Sequence, residues 1–377
     1  MKREIILLAL MGVAMLGACA RPPQQVTRSE GLDENIERRL WARSEEEIGK
    51  IDRSGFLYEN KELENYVNAV ARKIEGNSKT GPAITVKVIK NPIVNAFAYP
   101  TGRIYVHTAM LAVLENEAQF AAVLGHEMAH VYHRHAAQKW TKQKIRSESK
   151  ANLNSWLGSF GESMGQIAIE VSVNGYSREA EMEADQEGLA RAVRAGYDPS
   201  EAAKWQAFVK EASDREKKKQ PRTHPRIDDR IKSFEKLIAG EYQGKHGITN
   251  SEAFQRRTMP LLLDNAVLDL KLGHSEVAER TVEKYMRWNP DDARAYFLLG
   301  ESIRDNGQPD AEREALTNYQ KAISLRRNYP EPYRSLGMVA LKKGSKEEAK
   351  KNFEVYLSLR PDAEDRDYIR QYINECR

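Results

Sequence analysis

Cysteine is almost absent, with only Cys19 and Cys376 in 377 residues. A disulfide framework is therefore excluded as the source of stability. Long hydrophobic runs are missing too. The main apolar stretch, Ile5 to Ala18, has about 14 residues and falls short of the roughly 20 that a spanning helix needs. Nor does one sign of charge dominate. Lys and Arg total 59 against 55 Asp and Glu, which leaves a net charge of +4. These charges are spread along the chain, which argues against the concentrated basic face of a nucleic-acid binder. The chain is also too long for one typical core and predicts two or three domains.

The N-terminus is made of different material. Lys2 and Arg3 precede the apolar stretch, and Leu16-Gly17-Ala18-Cys19 closes it. This layout fits a secretory signal, and its end resembles a bacterial lipobox. The resemblance implies a signal peptide over 1–18 and a lipid on Cys19 as the first mature residue. Ala20 in place of aspartate implies the outer membrane, so the expected location is the periplasm, lipid-anchored. Residues 19–35 are polar and contain Pro22-Pro23, which reads as a tether. An acylated Cys19 leaves Cys376 as a free thiol.

Apolar periodicity predicts helix from Ile36 to Ile74, with Leu63, Tyr66, Val67, Val70 and Ile74 on one stripe. The period then changes to two. Ile84, Val86 and Val88 form one strand candidate, Asn95–Tyr99 a second and Ile104–His107 a third, with a turn at Pro100-Thr101-Gly102. Helix returns from Glu117 to about Lys142, without proline, and again from Arg178 to Ala195. The fold class is therefore mainly α with a small β-sheet.

Beyond Thr258 the chain repeats. Leu299-Gly300 recurs as Leu336-Gly337, Tyr296 as Tyr333, Ala315 as Ala349 and Tyr319 as Phe353, while Pro290 and Pro361 close their units. An earlier unit fits Met259 to Pro290, with Ala278 at the close-packing position. These phased positions resemble the tetratricopeptide repeat and imply an α-helical repeat domain over 258–377.

The chemistry concentrates in His126-Glu127-Met128-Ala129-His130. Four residues of helix turn about 400°, so both histidines share a face roughly 6 Å apart along the axis. Two imidazoles so placed can reach one Zn²⁺. Glu127 is rotated about 100° from His126 and can reach a water on the metal without ligating it. Zinc lowers the pKa of such a water, and the carboxylate takes its proton. Catalytic zinc needs a third protein ligand. The stretch Val131-Tyr132-His133-Arg134-His135 has no glycine to bend the chain back. The helix is therefore expected to run on, carrying His133 and His135 too far to share the metal and leaving them packing or supporting roles. Three carboxylates downstream, Glu179, Glu181 and Glu183, are available instead.

Together, the HExxH motif and the later Ser177-Arg178-Glu179-Ala180-Glu181-Met182-Glu183-Ala184-Asp185 resemble the gluzincin group of zinc metallopeptidases that includes HtpX, BepA and the CAAX prenyl endopeptidases. The resemblance covers roughly residues 50–240. It implies one zinc per chain held by His126, His130 and Glu181, with Asp185 orienting a ligand histidine. Asn95-Ala96-Phe97-Ala98 resembles the group's NAFAxPxG segment and implies substrate binding beside an edge strand. Thr223-His224-Pro225 resembles its HPxxxxR element and implies an active-site role for His224, either steadying an oxyanion or capping the metal. Arg230 is expected to pair with carboxylates.

These readings predict an α+β metallopeptidase domain over 36–245. The implied function is zinc-dependent cleavage of internal peptide bonds in misfolded or stalled envelope proteins. The expected partners are polypeptide substrates, the membrane through Cys19, and an outer-membrane assembly machinery through the repeats, with no nucleic acid. The competing reading is a repeat-based chaperone or assembly factor with a gated protease site.

Overall fold

A computed structural model describes residues 34–77, 81–144, 175–215, 227–305 and 310–376. The signal, most of the tether with Cys19, and His224 lie outside these residues. The described residues form sixteen helices and a three-stranded sheet, the mainly helical architecture with a small sheet expected from the sequence. No helix among them is long and apolar enough to cross a membrane.

The stripe from 36 to 74 forms two helices, α1 (Glu34–Asp52) and α2 (Lys61–Glu75). Between them Gly55 adopts φ 78°, a left-handed conformation that glycine takes freely. Asn60 starts α2 by accepting from the Leu63 amide at 3.0 Å.

The sheet comprises β1 (Thr85–Ile89), β2 (Ala96–Ala98) and β3 (Arg103–His107), in the order β1-β3-β2. β1 runs parallel to β3, and β2 antiparallel to it. β2 is thus an edge strand. The Tyr99 amide donates to the Arg103 carbonyl at 2.8 Å and the His107 amide to the Asn95 carbonyl at 3.0 Å. Phe97 lies opposite Tyr105. By the alternation of an antiparallel ladder, the backbone groups of Ala96 and Ala98 face the open side.

α3 (Thr108–Val113) leads into α4 (Glu117–Tyr132), whose every residue is buried. The start of α4 is held firmly. Asn116 accepts from the Gln119 amide at 3.0 Å. The buried Glu117 carboxylate accepts from Tyr66 at 2.7 Å, Tyr197 at 2.6 Å and Asn250 at 2.7 Å. A carboxylate there also meets the positive end of the helix dipole.

The structure corrects one expectation here. The helix does not run on to about Lys142. It stops at Tyr132, Arg134 takes φ 55°, and α5 (His135–Lys144) starts in a new direction. The break needs no glycine, because packing around it holds a residue type that rarely adopts this conformation.

α6 (Arg178–Arg194), α7 (Pro199–Ala202), α8 (Trp205–Arg215) and α9 (Ile227–Ala239) follow. α6 lies directly against α4, glycine to glycine. A Cβ on Gly125 would meet the Gly188 carbonyl oxygen at 2.6 Å, and one on Gly188 would meet the His126 nitrogen at 2.5 Å.

The remaining helices are α10 (Ser251–Lys271), α11 (Ser275–Met286), α12 (Ala293–Asp305), α13 (Ala311–Leu325), α14 (Pro330–Lys342), α15 (Lys346–Leu359) and α16 (Arg366–Glu375). They pack as successive hairpins. Ala278, Ala315 and Ala349 are fully buried at the close contacts. Gly300 faces Tyr319, and Gly337 faces Phe353. The boundary expected at 258 falls inside α10. Phe254, Met259, Leu261 and Leu262 of this helix share a cluster with Phe120 and Leu124 of α4, whereas its Leu263 and Ala266 pack with Ala278 and Val282 of α11. Lys284 of α11 also donates to the Ala112 and Leu114 carbonyls at 2.6 Å each.

Candidate metal centre and active site

The contact between α4 and α6 builds the site. Glu181, Asp185 and Gly188 lie on one face of α6, spaced one turn and then almost another. Gly188 seats against the backbone at Gly125 and His126. That close approach brings Glu181 up to both histidines of α4. Ser177 caps α6 by accepting from the Ala180 amide at 3.3 Å, and the Tyr176 amide donates to Glu181 Oε1 at 3.2 Å.

His126, His130 and Glu181 are all buried, and each offers a ligand atom within 4.8 Å of the others. His126 Nε2 lies 3.0 Å from His130 Nε2 and 3.6 Å from Glu181 Oε2. Two zinc bonds of 2.0–2.1 Å at a tetrahedral angle separate their donor atoms by roughly 3.3 Å. The observed separations bracket that value, so the donor set fits a single tetrahedral cation. Two nitrogens and one carboxylate oxygen suit zinc and leave a fourth position for reaction.

His126 is fixed from behind. Its Nδ1 lies 2.9 Å from Asp185 Oδ1, which leaves Nε2 for a metal. Arg230 of α9 grips the same carboxylate twice, through Nε at 2.7 Å and a terminal nitrogen at 2.6 Å. Its other terminal nitrogen lies 3.0 Å from Glu181 Oε2. The guanidinium stacks over Trp205, whose ring also sits 5.4 Å from that of His126. Arg230 thus pairs with carboxylates as expected, and it does so at the centre of the site.

Burial shapes the titrations. It pushes the Glu127 carboxyl up to about 8, helped by the nearby Glu181 charge and opposed by Arg230. A bound divalent cation would pull this value back down. Burial also lowers His126, which favours the neutral imidazole that ligation requires. Burial alone would raise Asp185, but the charge and hydrogen bonds of Arg230 hold it below the usual range.

Asn95, Ala96, Phe97 and Ala98 sit on and beside the edge strand, and all are buried. Ala96 and Ala98 pack toward the α4 side, and Phe97 toward Tyr99 and Tyr105 on the opposite face. Asn95 Oδ1 is buried without a hydrogen-bond partner among the described residues. A cavity of about 140 Å³ adjoins the site, walled by Leu40, Pro82, Ala98, His130, Ala137 and Tyr176 among others.

Sequence reasoning missed two contributors, Gly188 and Tyr176. Gly188 could have been found, because it lies on the Glu181 face of α6. Tyr176, stacked on His130 at 4.0 Å, carries no local signal of that contact, and His135, expected in a packing or supporting role, has its Nδ1 2.7 Å from His130 Nδ1.

Comparison with known proteins agrees with this geometry. The family model for peptidase family M48 matches residues 58–238. Mitochondrial metalloendopeptidase OMA1 of Arabidopsis thaliana is 31% identical over 153 residues, covering 38% of this chain and 28% of that protein. Beta-barrel assembly-enhancing protease of Escherichia coli K12 is 28% identical over 154 residues, covering 36% and 30%. The human metalloendopeptidase OMA1, mitochondrial, is 29% identical over 173 residues, covering 41% and 32%. The chain therefore spans about a third of the length of these relatives. A crystal structure of MamA aligns over 40% of this chain and 85% of that one, at 20% identity and a TM-score of 0.25, a likeness too weak to carry an argument. The family match spans all three buried ligand candidates and the glutamate beside them, and on that ground residues 58–238 form a peptidase family M48 domain.

Proposed function

We propose that this chain is a zinc-dependent endopeptidase that cleaves internal peptide bonds of misfolded or stalled envelope proteins. The carrying observation is the buried His126–His130–Glu181 cluster with Glu127 on the same helix. When bound, zinc would polarise the scissile carbonyl and lower the pKa of an attacking water. Glu127 takes the proton from that water and returns it to the leaving amine. Asp185 and Arg230 keep His126 oriented through these steps.

The substrate lies extended along β2. Its backbone pairs with the open amides and carbonyls of Ala96 and Ala98. Such pairing reads backbone rather than side chains, which suits unfolded chains of varied sequence. The cavity beside His130 is large enough for one apolar side chain. His224 is assigned the oxyanion or a resting-state cap. Cys19 carries the lipid that holds the enzyme to the outer membrane, facing the periplasm. The helical hairpins present substrates or dock on an outer-membrane assembly machinery. The name of one relative, beta-barrel assembly-enhancing protease, couples assembly to proteolysis. That pairing favours, as a second reading, an assembly factor whose protease site is gated.

The test is zinc content and casein cleavage of the mature chain beside Glu127→Gln and Glu181→Ala. The expected result is one zinc per chain, cleavage lost but metal kept in Glu127→Gln, and metal lost in Glu181→Ala. Zinc without cleavage would favour the gated reading. A folded chain that takes up no zinc would overturn both.

A further inference from the structure

The two histidines of the metal cluster are held differently. His126 meets a carboxylate directly, with Asp185 Oδ1 at 2.9 Å. His130 meets an imidazole. Its Nδ1 faces a third imidazole, His135 Nδ1, at 2.7 Å. His135 Nε2 in turn lies 3.1 Å from Glu183 Oε2. His135 is only 2% exposed, so this contact is part of the packed interior.

The backbone is bent to make this contact. A continuous helix would carry His135 away from the metal face. Instead α4 ends at Tyr132 and Arg134 takes φ 55°, a region that non-glycine residues avoid. Glu37 of α1 holds the Arg134 side chain at 2.8 Å. The Arg134 amide donates to the Val131 carbonyl at 3.1 Å. His135 then begins α5 with its ring turned back against His130, centroids 4.9 Å apart. Strained backbone of this kind persists where the surroundings enforce it, and such sites cluster where function needs them.

Proton positions follow from the metal. To ligate through Nε2, His130 must carry its proton on Nδ1 and donate it. His135 Nδ1 must then accept, which places the His135 proton on Nε2. That proton is donated to the Glu183 carboxylate. A single arrangement of neutral imidazoles satisfies every contact. Glu183 also lies 3.3 Å from His133 Nδ1, so its second oxygen is engaged as well.

We infer that His135 and Glu183 are positioning residues that fix the tautomer and orientation of His130 through a two-step hydrogen-bond relay. The inference rests on the proposed metal site. It assigns to the half-exposed Glu183 a role that its sequence position, between two other α6 carboxylates, does not reveal. It also makes the bend at Arg134 part of the site. The two ligand histidines thus receive equivalent support, His126 from Asp185 alone and His130 from a carboxylate acting across an imidazole.

The test is Zn²⁺ affinity of the full chain, measured by competition with a chromophoric chelator, together with ¹⁵N NMR of the imidazoles. His135→Phe keeps a ring but removes the acceptor, and should weaken zinc binding about 10- to 100-fold. Glu183→Ala should approach that loss. Glu183→Gln keeps an acceptor oxygen and should restore most of the affinity, a rescue that bulk packing would not produce. The wild-type spectrum should show His130 protonated at Nδ1 and His135 at Nε2. Glu183 is half exposed, so its variants keep the test open should His135→Phe not fold. Unchanged affinity in folded His135→Phe or Glu183→Ala, with wild type binding zinc, would overturn the relay alone. Wild type binding no divalent cation would overturn the metal reading and this role with it.

Discussion

Gly188→Ala adds one methyl group, touches no proposed ligand side chain, and should still damage the metal site. The added Cβ would lie 2.5 Å from the His126 nitrogen and 2.9 Å from its Cα. Ordinary contact begins near 3.4 Å, so the helices must part by roughly 0.9 Å. The obstacle is backbone in the middle of two buried helices, so no side chain can rotate away. Alanine gains about 1 kcal/mol in helix propensity, against an overpacking cost of about 1–3 kcal/mol. The net loss of stability should be modest, up to about 2 kcal/mol. The functional effect should be larger. Glu181 shares a face with Gly188 on α6, so it moves with the helix, away from His126 and His130. Ligand displacement on this scale should weaken zinc binding about 10- to 100-fold. Chelator competition and urea denaturation of the same preparation separate the two effects. The reasoning fails if Gly188→Ala binds zinc as tightly as wild type, or if affinity and stability fall in strict proportion.

Two further substitutions probe buried charge. Arg230→Met leaves the Asp185 carboxylate buried without its cation and should destabilise the chain by about 3–5 kcal/mol in urea. Added zinc should offset part of that loss by engaging Glu181, and an equal loss with and without zinc would count against the shared role drawn for Arg230. Lys284 is pushed down to about 8 by burial, below an unfolded value near 10.4. The folded chain therefore binds fewer protons between those values, and stability should rise with pH there. Relative to Lys284→Met, wild type should gain about 2–3 kcal/mol between pH 7 and pH 10, and a flat difference would refute the assigned burial penalty.

The sequence made the centre of the site readable because its chemistry follows helical period. His126 and His130 share a face by spacing, and the phase of Glu181 with Asp185 came from a motif. The strands were readable from alternation, extended stretches and the turn at Gly102, and the edge position of β2 came from the resemblance. What lay hidden depends on how elements meet. The left-handed backbone at Arg134 is imposed by packing on a residue that does not advertise it, so the helix was expected to continue. The return of His135 toward His130 depends on that bend and was hidden with it. The Glu117 cluster joins Tyr66, Tyr197 and Asn250, residues up to 133 positions from it, and no local pattern announces such a meeting.

The repeats raise a related point about where the peptidase ends. The sequence turns repetitive beyond Thr258, which predicts a boundary there. The apolar surface places it later. The first half of α10 completes the core around α4 with Phe254, Leu261 and Leu262. Its second half begins the hairpin stack with Leu263 and Ala266. Lys284 then ties α11 back to the carbonyls that end α3. A chain cut at 258 would lose Leu261 and Leu262 from the peptidase core, each worth about 1.5–3 kcal/mol when fully buried. Such a cut would inactivate the enzyme whatever the repeats do, and so could not distinguish a substrate-presenting arm from a passive one. A cut in the loop between α11 and α12 spares every contact just named. The hairpin from α10 to α11 therefore belongs mechanically to the peptidase domain, and a test of the proposed docking role must act on the helices that follow it.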